Sequence, residues 1–129
     1  MLINLSNHET SRWGAAQKLA AERLFGEVCD LPFPVIDPFA DLDQISALAA
    51  SFVQKCQSLL SCATATATAT DHAIHVMGEM TFVHQFVKQA TAAGLRCVAS
   101  TTERIAVDKP DGTKVAEFRF VGFREYEER

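Results

Sequence analysis

The chain lacks the paired cysteines that announce a zinc site or a redox motif. It has four cysteines, Cys29, Cys56, Cys62 and Cys97, and none forms C-x-x-C. Metal sites of that kind need closely paired spacings, so these thiols read as small core hydrophobes and no metal is expected. G-x-G-x-x-G and G-x-x-x-x-G-K-[ST] are both missing, which removes the usual fingerprints of dinucleotide and P-loop binding. G-x-S-x-G is missing too, and with it the ordinary hydrolase elbow. Basic charge is in short supply: 12 Lys and Arg stand against 16 Asp and Glu, a formal net charge of −4. A domain that grips a long duplex is usually basic, so duplex nucleic acid is not an expected partner. A small anionic ligand held by local groups fits this balance. No apolar run approaches the roughly 18 residues that a membrane span requires. Met1 to Leu5 carries no basic n-region, so no cleavable signal is expected, and the reading is a cytoplasmic protein without a membrane partner.

What is present is enough for one ordinary domain over residues 1–129, with 48% hydrophobic residues to build its core. Met1 to Leu5 reads as a first strand stopped by Ser6-Asn7-His8. Ser11 is placed to cap the following helix, whose stripe is Trp13, Ala16, Ala20 and Leu24, and Gly26 suits its C-terminal end. Glu27 to Leu31 is a second strand, ended by Pro32-Phe33-Pro34. Asp41 and Gln44 form a capping box before a long amphipathic helix carrying Ile45, Leu48, Ala49, Phe52, Cys56 and Leu59. The alternating "ATATATAT" from Ala63 to Thr70 reads as an exposed connector or helix tail, or as a short surface strand. Ala73 to Met77 is a third strand, apolar enough to be covered on both faces. Thr81 is placed to cap the next helix, which carries Val83, Phe86, Val87 and Ala90 and ends at Gly94. Arg96 to Ala99 is a fourth strand. Ile105 to Val107 and Val115 to Val121, joined by Pro110-Asp111-Gly112, make a β-hairpin.

The order β-α-β-α-β-α-β plus hairpin predicts an α/β fold: a Rossmann-like three-layer sandwich, mainly parallel, with a C-terminal β-hairpin. Ligands of such sheets sit beyond the carboxyl ends of the strands, where strand order reverses. With order 2-1-3-4, Asn7, His8, Gly78 and Glu79 converge there. Gly78 permits close backbone approach, and the helix behind it favours anions. Ser6, Thr81, Ser100, Thr101 and Thr102 add polar groups, and Arg104 a possible phosphate fork. Trp13 and Phe33 follow strand ends, where an aromatic ring stacks on a base or lids the core. Each residue has a plainer reading: Gly78-Glu79 as a turn with a favourable N-terminal charge, His8 as a strand-end residue, His75 as a satisfied core histidine, and His72 and His84 as surface groups.

The segments "INLSNH", "DLPFP" followed by "IDP", "MGE" followed by "TF", "CVASTTER" and "FRFVGFREY" together resemble a family of small uncharacterised bacterial proteins, some linked to CRISPR loci. The general plan also resembles the CRISPR-associated Rossmann-fold (CARF) superfamily. That resemblance implies a homodimer that binds a cyclic oligoadenylate across its twofold axis, and, in the ring-nuclease members, cleaves it. It implies a ligand site at the ends of strands one and four, on Ser6, Asn7, His8, Ser100, Thr101 and Thr102, with Gly78-Glu79 beside them. Cleavage there needs in-line placement of a ribose hydroxyl and charge stabilisation rather than a metal or cofactor. His8 would serve as acid or base with Glu79 nearby, and Arg104 would steady the phosphate. These loops carry no lysine, which some members use. Two other expectations stay open. One is an enzyme or binder for a different nucleotide or phosphorylated metabolite. The other is an interaction module in which Phe118, Phe120, Phe123 and Tyr126 cap the sheet or pair with a second chain.

Overall fold

The computed structural model describes residues 1–64 and 72–128. Its elements are β1 (Leu2–Ser6), α1 (Ala15–Phe25), β2 (Val28–Asp30), α2 (Leu42–Thr64), β3 (Ala73–Met77), α3 (Met80–Ala92), β4 (Cys97–Asp108) and β5 (Lys114–Glu125). The sheet order is β2-β1-β3-β4-β5. The first four strands run parallel, and β5 returns antiparallel beside β4. This is the Rossmann-like, mainly parallel sandwich that the alternation of elements dictates. Within the Ala-Thr tract, residues 63–64 end α2, and 65–70 lie outside the described residues.

Side-chain alternation along the strands sorts the core into two layers. Ile3, Leu5, Ile74, Val76 and Cys97 point to the face covered by α2 and α3, where Phe52, Phe82 and Phe86 are buried. Leu2, Ala73 and Val98 point to the other face, against Trp13, Ala21 and Phe25. The capping box at α2 forms as expected. The Gln44 backbone N–H donates to Asp41 Oδ1, and the Asp41 N–H donates to Gln44 Oε1, both at 2.8 Å.

Three local expectations are corrected. Ser11 does not cap α1: residues Thr10–Arg12 form a 3-10 turn, and the N-cap is Gly14, which brings no side-chain bond. The buried stripe of α1 is Ala21 and Phe25, one step on from Ala20 and Leu24, because Phe25 packs edge-on against Phe123 at 5.6 Å while Leu24 is exposed. At α3 the cap is Glu79 rather than Thr81. The Glu79 carboxylate accepts from the N–H groups of Thr81 and Phe82, and the Thr81 hydroxyl donates back to it.

The fourth strand also runs further than its apolar start suggests. Ser100 to Arg104 are inside β4, not in a loop beyond it, because β5 pairs with β4 from Val98↔Glu125 out to Asp108↔Lys114. The register slips between Thr101 and Thr102, which leaves Val121 as the extra residue of a bulge. The slip brings Phe123 onto the same face as Phe120, and their rings meet at 5.2 Å. The connecting turn uses Gly112 at φ 85°, with Asp111 Oδ1 accepting from the Thr113 N–H and hydroxyl.

Candidate functional site

A cleft of about 540 Å³ opens at the carboxyl ends of β1 and β3, on the α1 side of the sheet. The chain reverses its strand order here: β1 is followed outward by β2, whereas β3 lies on its other side. Ser6, Asn7 and His8 form one rim, Met77 and Gly78 another, and Ser100 and Thr102 stand opposite on β4. Arg12, Trp13, Gly14 and Gln17 close the side where α1 begins, and His75 lies in the floor.

Each wall has a local cause. Apolar β1 ends in small polar residues because the sheet stops there, and Ser6 and Asn4 turn their side chains inward to hold the loop. The Ser6 hydroxyl donates to Asn4 Oδ1 at 2.8 Å, and Asn4 Nδ2 donates to the His8 carbonyl at 2.8 Å. The same carbonyl accepts from Trp13 Nε1 at 3.2 Å, which fixes the indole beside the cleft. The first turn of α1 has no side-chain cap, so its N–H groups carry the helix's partial positive charge toward the Arg12 and Gly14 wall. Residues alternate along β4, so Ser100 and Thr102 share the cleft face. The Ser100 hydroxyl donates to Met77 Sδ. Thr101 bonds the Gly122 carbonyl instead.

Behind the rim lies a row of polar side chains crossing three strands in register: Asp30 opposite Asn4, and Asn4 opposite His75. Asn4 Nδ2 donates to Asp30 Oδ1 at 2.8 Å, and Asn4 Oδ1 lies 2.9 Å from His75 Nδ1. Partial burial would raise the Asp30 carboxyl. The hydrogen bonds from Thr10 and Asn4 outweigh that and hold it below its ordinary value. His75 is 2% exposed, and burial pushes its imidazole down to about 4, so it is neutral near pH 7. Trp13 and Phe123 stand nearly perpendicular to it, at centroid distances of 5.3 and 5.7 Å. Its Nε2 is buried and has no hydrogen-bond partner.

The residues expected at the site divide. Ser6, Asn7, His8, Trp13, Gly78, Ser100 and Thr102 come together around the cleft. Glu79 and Thr81 are engaged with each other and with the N-terminus of α3. The Thr81 and Phe82 bonds hold the Glu79 carboxyl below its ordinary value. Arg104 stands out on the hairpin, opposite Phe118. Phe33 lids the other layer, edge-on to Phe82 at 5.1 Å. It explains Gly78: a Cβ there would run into the Phe33 ring. Phe33 also borders, with Ser6, Asn7 and Asp30, a smaller recess of about 270 Å³.

Arg12, Gly14, Gln17 and the Asn4–Asp30 pair were not singled out from sequence, and His75 was read as a satisfied core residue. The signal is a polar residue among the apolar ones of each short strand, Asn4 in β1, Asp30 in β2 and His75 in β3. Among the described residues, no group of three His, Cys, Asp or Glu side chains is placed to hold a metal. No helix among them is long and apolar enough to cross a membrane.

No curated protein and no solved structure matches the chain. A family model does match, over residues 1–124, and on that match the chain belongs to the uncharacterized protein MJ1673 family.

Proposed function

We propose that this protein binds a small anionic nucleotide in the cleft between β1, β3 and the start of α1, and that the ligand is a cyclic oligoadenylate of the kind used in CRISPR-type defence. The observation that carries this reading is the junction of donors at the switch point. The uncapped first turn of α1 and Arg12 form one wall, and the hydroxyls of Ser100 and Thr102 line the same cleft from β4. Backbone N–H groups and a guanidinium suit phosphate oxygens, the hydroxyls suit sugar and bridging oxygens, and the buried Trp13 indole borders the cleft beside them. The CARF resemblance supplies the cyclic form of the ligand and a homodimer as the binding unit.

The reading is one of binding before cleavage. Of the three side chains named for cleavage, His8 borders the cleft, whereas Glu79 caps α3 and Arg104 sits on the hairpin. A thermal-shift series with cyclic tri-, tetra- and hexa-adenylate tests the proposal. A ligand at about 100 times its Kd adds about 2.7 kcal/mol, which raises the Tm of a domain this size by roughly ten degrees. Arg12→Ala removes most of that rise. A flat series for the wild-type protein at concentrations far above micromolar rejects the reading.

A further inference from the structure

The cleft floor carries one group whose hydrogen-bonding role is dictated by its neighbours. Asp30, ionised, only accepts hydrogen bonds, and so does the His8 carbonyl. Both lie 2.8 Å from Asn4 Nδ2, so that end of the amide is the amine. The other end, Asn4 Oδ1, then receives the Ser6 hydroxyl and faces His75 Nδ1. Oδ1 cannot donate, so the single proton of the neutral imidazole sits on Nδ1. The lone pair is left on Nε2, which with His72 Nε2 is one of two buried side-chain atoms without a partner among the described residues, and the one of the two whose residue lines the cleft. A buried acceptor left unmade is costly, and native structures rarely keep one without a use.

We infer that His75 is a specificity-determining residue of the cleft, held by the Asp30–Asn4 pair as an Nδ1–H tautomer so that Nε2 accepts a hydrogen bond from a neutral donor on the bound nucleotide. The inference rests on the nucleotide-binding reading and narrows it. The ligand carries an O–H or N–H group close to its phosphate, either a ribose hydroxyl or an exocyclic base amine. A ligand presenting only anionic oxygens to the floor meets a lone pair and is repelled. Trp13 packs against His75 and also lines the cleft, so a ligand seated on the floor changes the surroundings of the indole. Trp13 is the only tryptophan of the chain, which makes its fluorescence a direct report of that event.

The test has two arms on the full-length protein. Nitrogen NMR of labelled histidine in the ligand-free protein shows, for the signal that His75→Phe removes, a protonated Nδ1 and a bare Nε2. Asp30→Asn, a change at a largely exposed position, lets the Asn4 amide turn and brings in a second tautomer. An Nε2–H tautomer in the wild-type protein overturns the inference. In the second arm, Trp13 fluorescence follows titration with cyclic tetra-adenylate, its 2′-deoxy analogue and the inosine analogue that lacks the base amine. The analogue missing the donor that His75 reads binds about tenfold more weakly or worse, and the choice of analogue tells hydroxyl from amine. That gap closes in His75→Phe and narrows in Asp30→Asn. Equal binding of all three, or a gap that persists in His75→Phe, removes the role of His75 and leaves nucleotide binding standing. Failure of all three to titrate removes both.

Discussion

Asn4, Asp30 and His75 each look out of place in the strand that holds them. "LINLS", "VCD" and "AIHVM" are otherwise apolar or small, and one polar side chain in each lands on the same sheet face in the same row. The individual residues are visible in the sequence. Their alignment is not: the apolar pattern constrains which face each side chain takes, but the offset between parallel strands joined by long helical crossovers is settled only by packing. The neutral, buried His75 has a thermodynamic consequence. Its folded value is about 4 against an ordinary 6.5, so between those limits the unfolded chain binds the proton and the folded chain does not. Stability is therefore complete above pH 6.5 and falls as the pH drops to about 4, by roughly 3 kcal/mol from this group. His75→Phe should flatten urea-unfolding free energies across that window. The Asp30 carboxyl, held low, adds its own loss only at more acidic pH. An unchanged slope in the His75→Phe protein would mean that this imidazole titrates freely in the folded state.

At the scale of the element, a helix end is legible where two side chains form a reciprocal capping box within one turn; at α3, where Glu79 and Thr81 both suit the cap, the pattern does not say which of them takes it. Asp41 with Gln44 is such a box, and Asp41→Ala should cost about 1 kcal/mol in thermal unfolding. The start of α1 differs from the sequence expectation because Ser11 lies within a 3-10 turn that precedes the helix, and packing on Phe123 selects which side of the helix is buried. The β4 bulge was invisible for the same reason: it exists only in the pairing of two strands. Gly78 belongs to this scale as well. It joins β3 to α3, and its lack of a side chain lets Phe33 lie against the backbone and reach Phe82. Gly78→Ala forces that ring away and should lower stability by about 1 to 3 kcal/mol, as overpacking does. Shortening the intruding ring by Phe33→Leu in the Gly78→Ala background should recover part of the loss. Additive effects of the two substitutions would show that the close approach is not what Gly78 serves.

For the whole molecule, the alternation of elements makes the parallel sheet legible but not its strand order; the order 2-1-3-4 enters the sequence reading as a condition, and the structure has it, which brings Ser6, Asn7, His8 and Gly78 to a common rim. The reach of the hairpin was not legible either. β4 pairs with β3 only at Cys97 and Val98, then continues with β5 as a two-stranded ribbon to Asp108 and Lys114. A two-stranded ribbon standing alone is marginal in water. This one exposes Phe118 at 68% and Val121 at 64%, the kind of apolar surface that ordinarily meets a partner. The homodimer implied by the CARF resemblance would cover it. The protein should then sediment at about twice the 14.1 kDa of the chain. Phe118→Glu together with Val121→Glu should return it to the mass of one chain. The Tm should fall in the variant, because the dimer's contribution to stability goes with the contact. Both side chains lie away from the cleft walls, so Trp13 should still respond to ligand if each protomer binds alone, and should fall silent if the two share one ring. A wild-type protein that sediments as a single chain at tens of micromolar leaves the ribbon without its second copy and sinks the dimer.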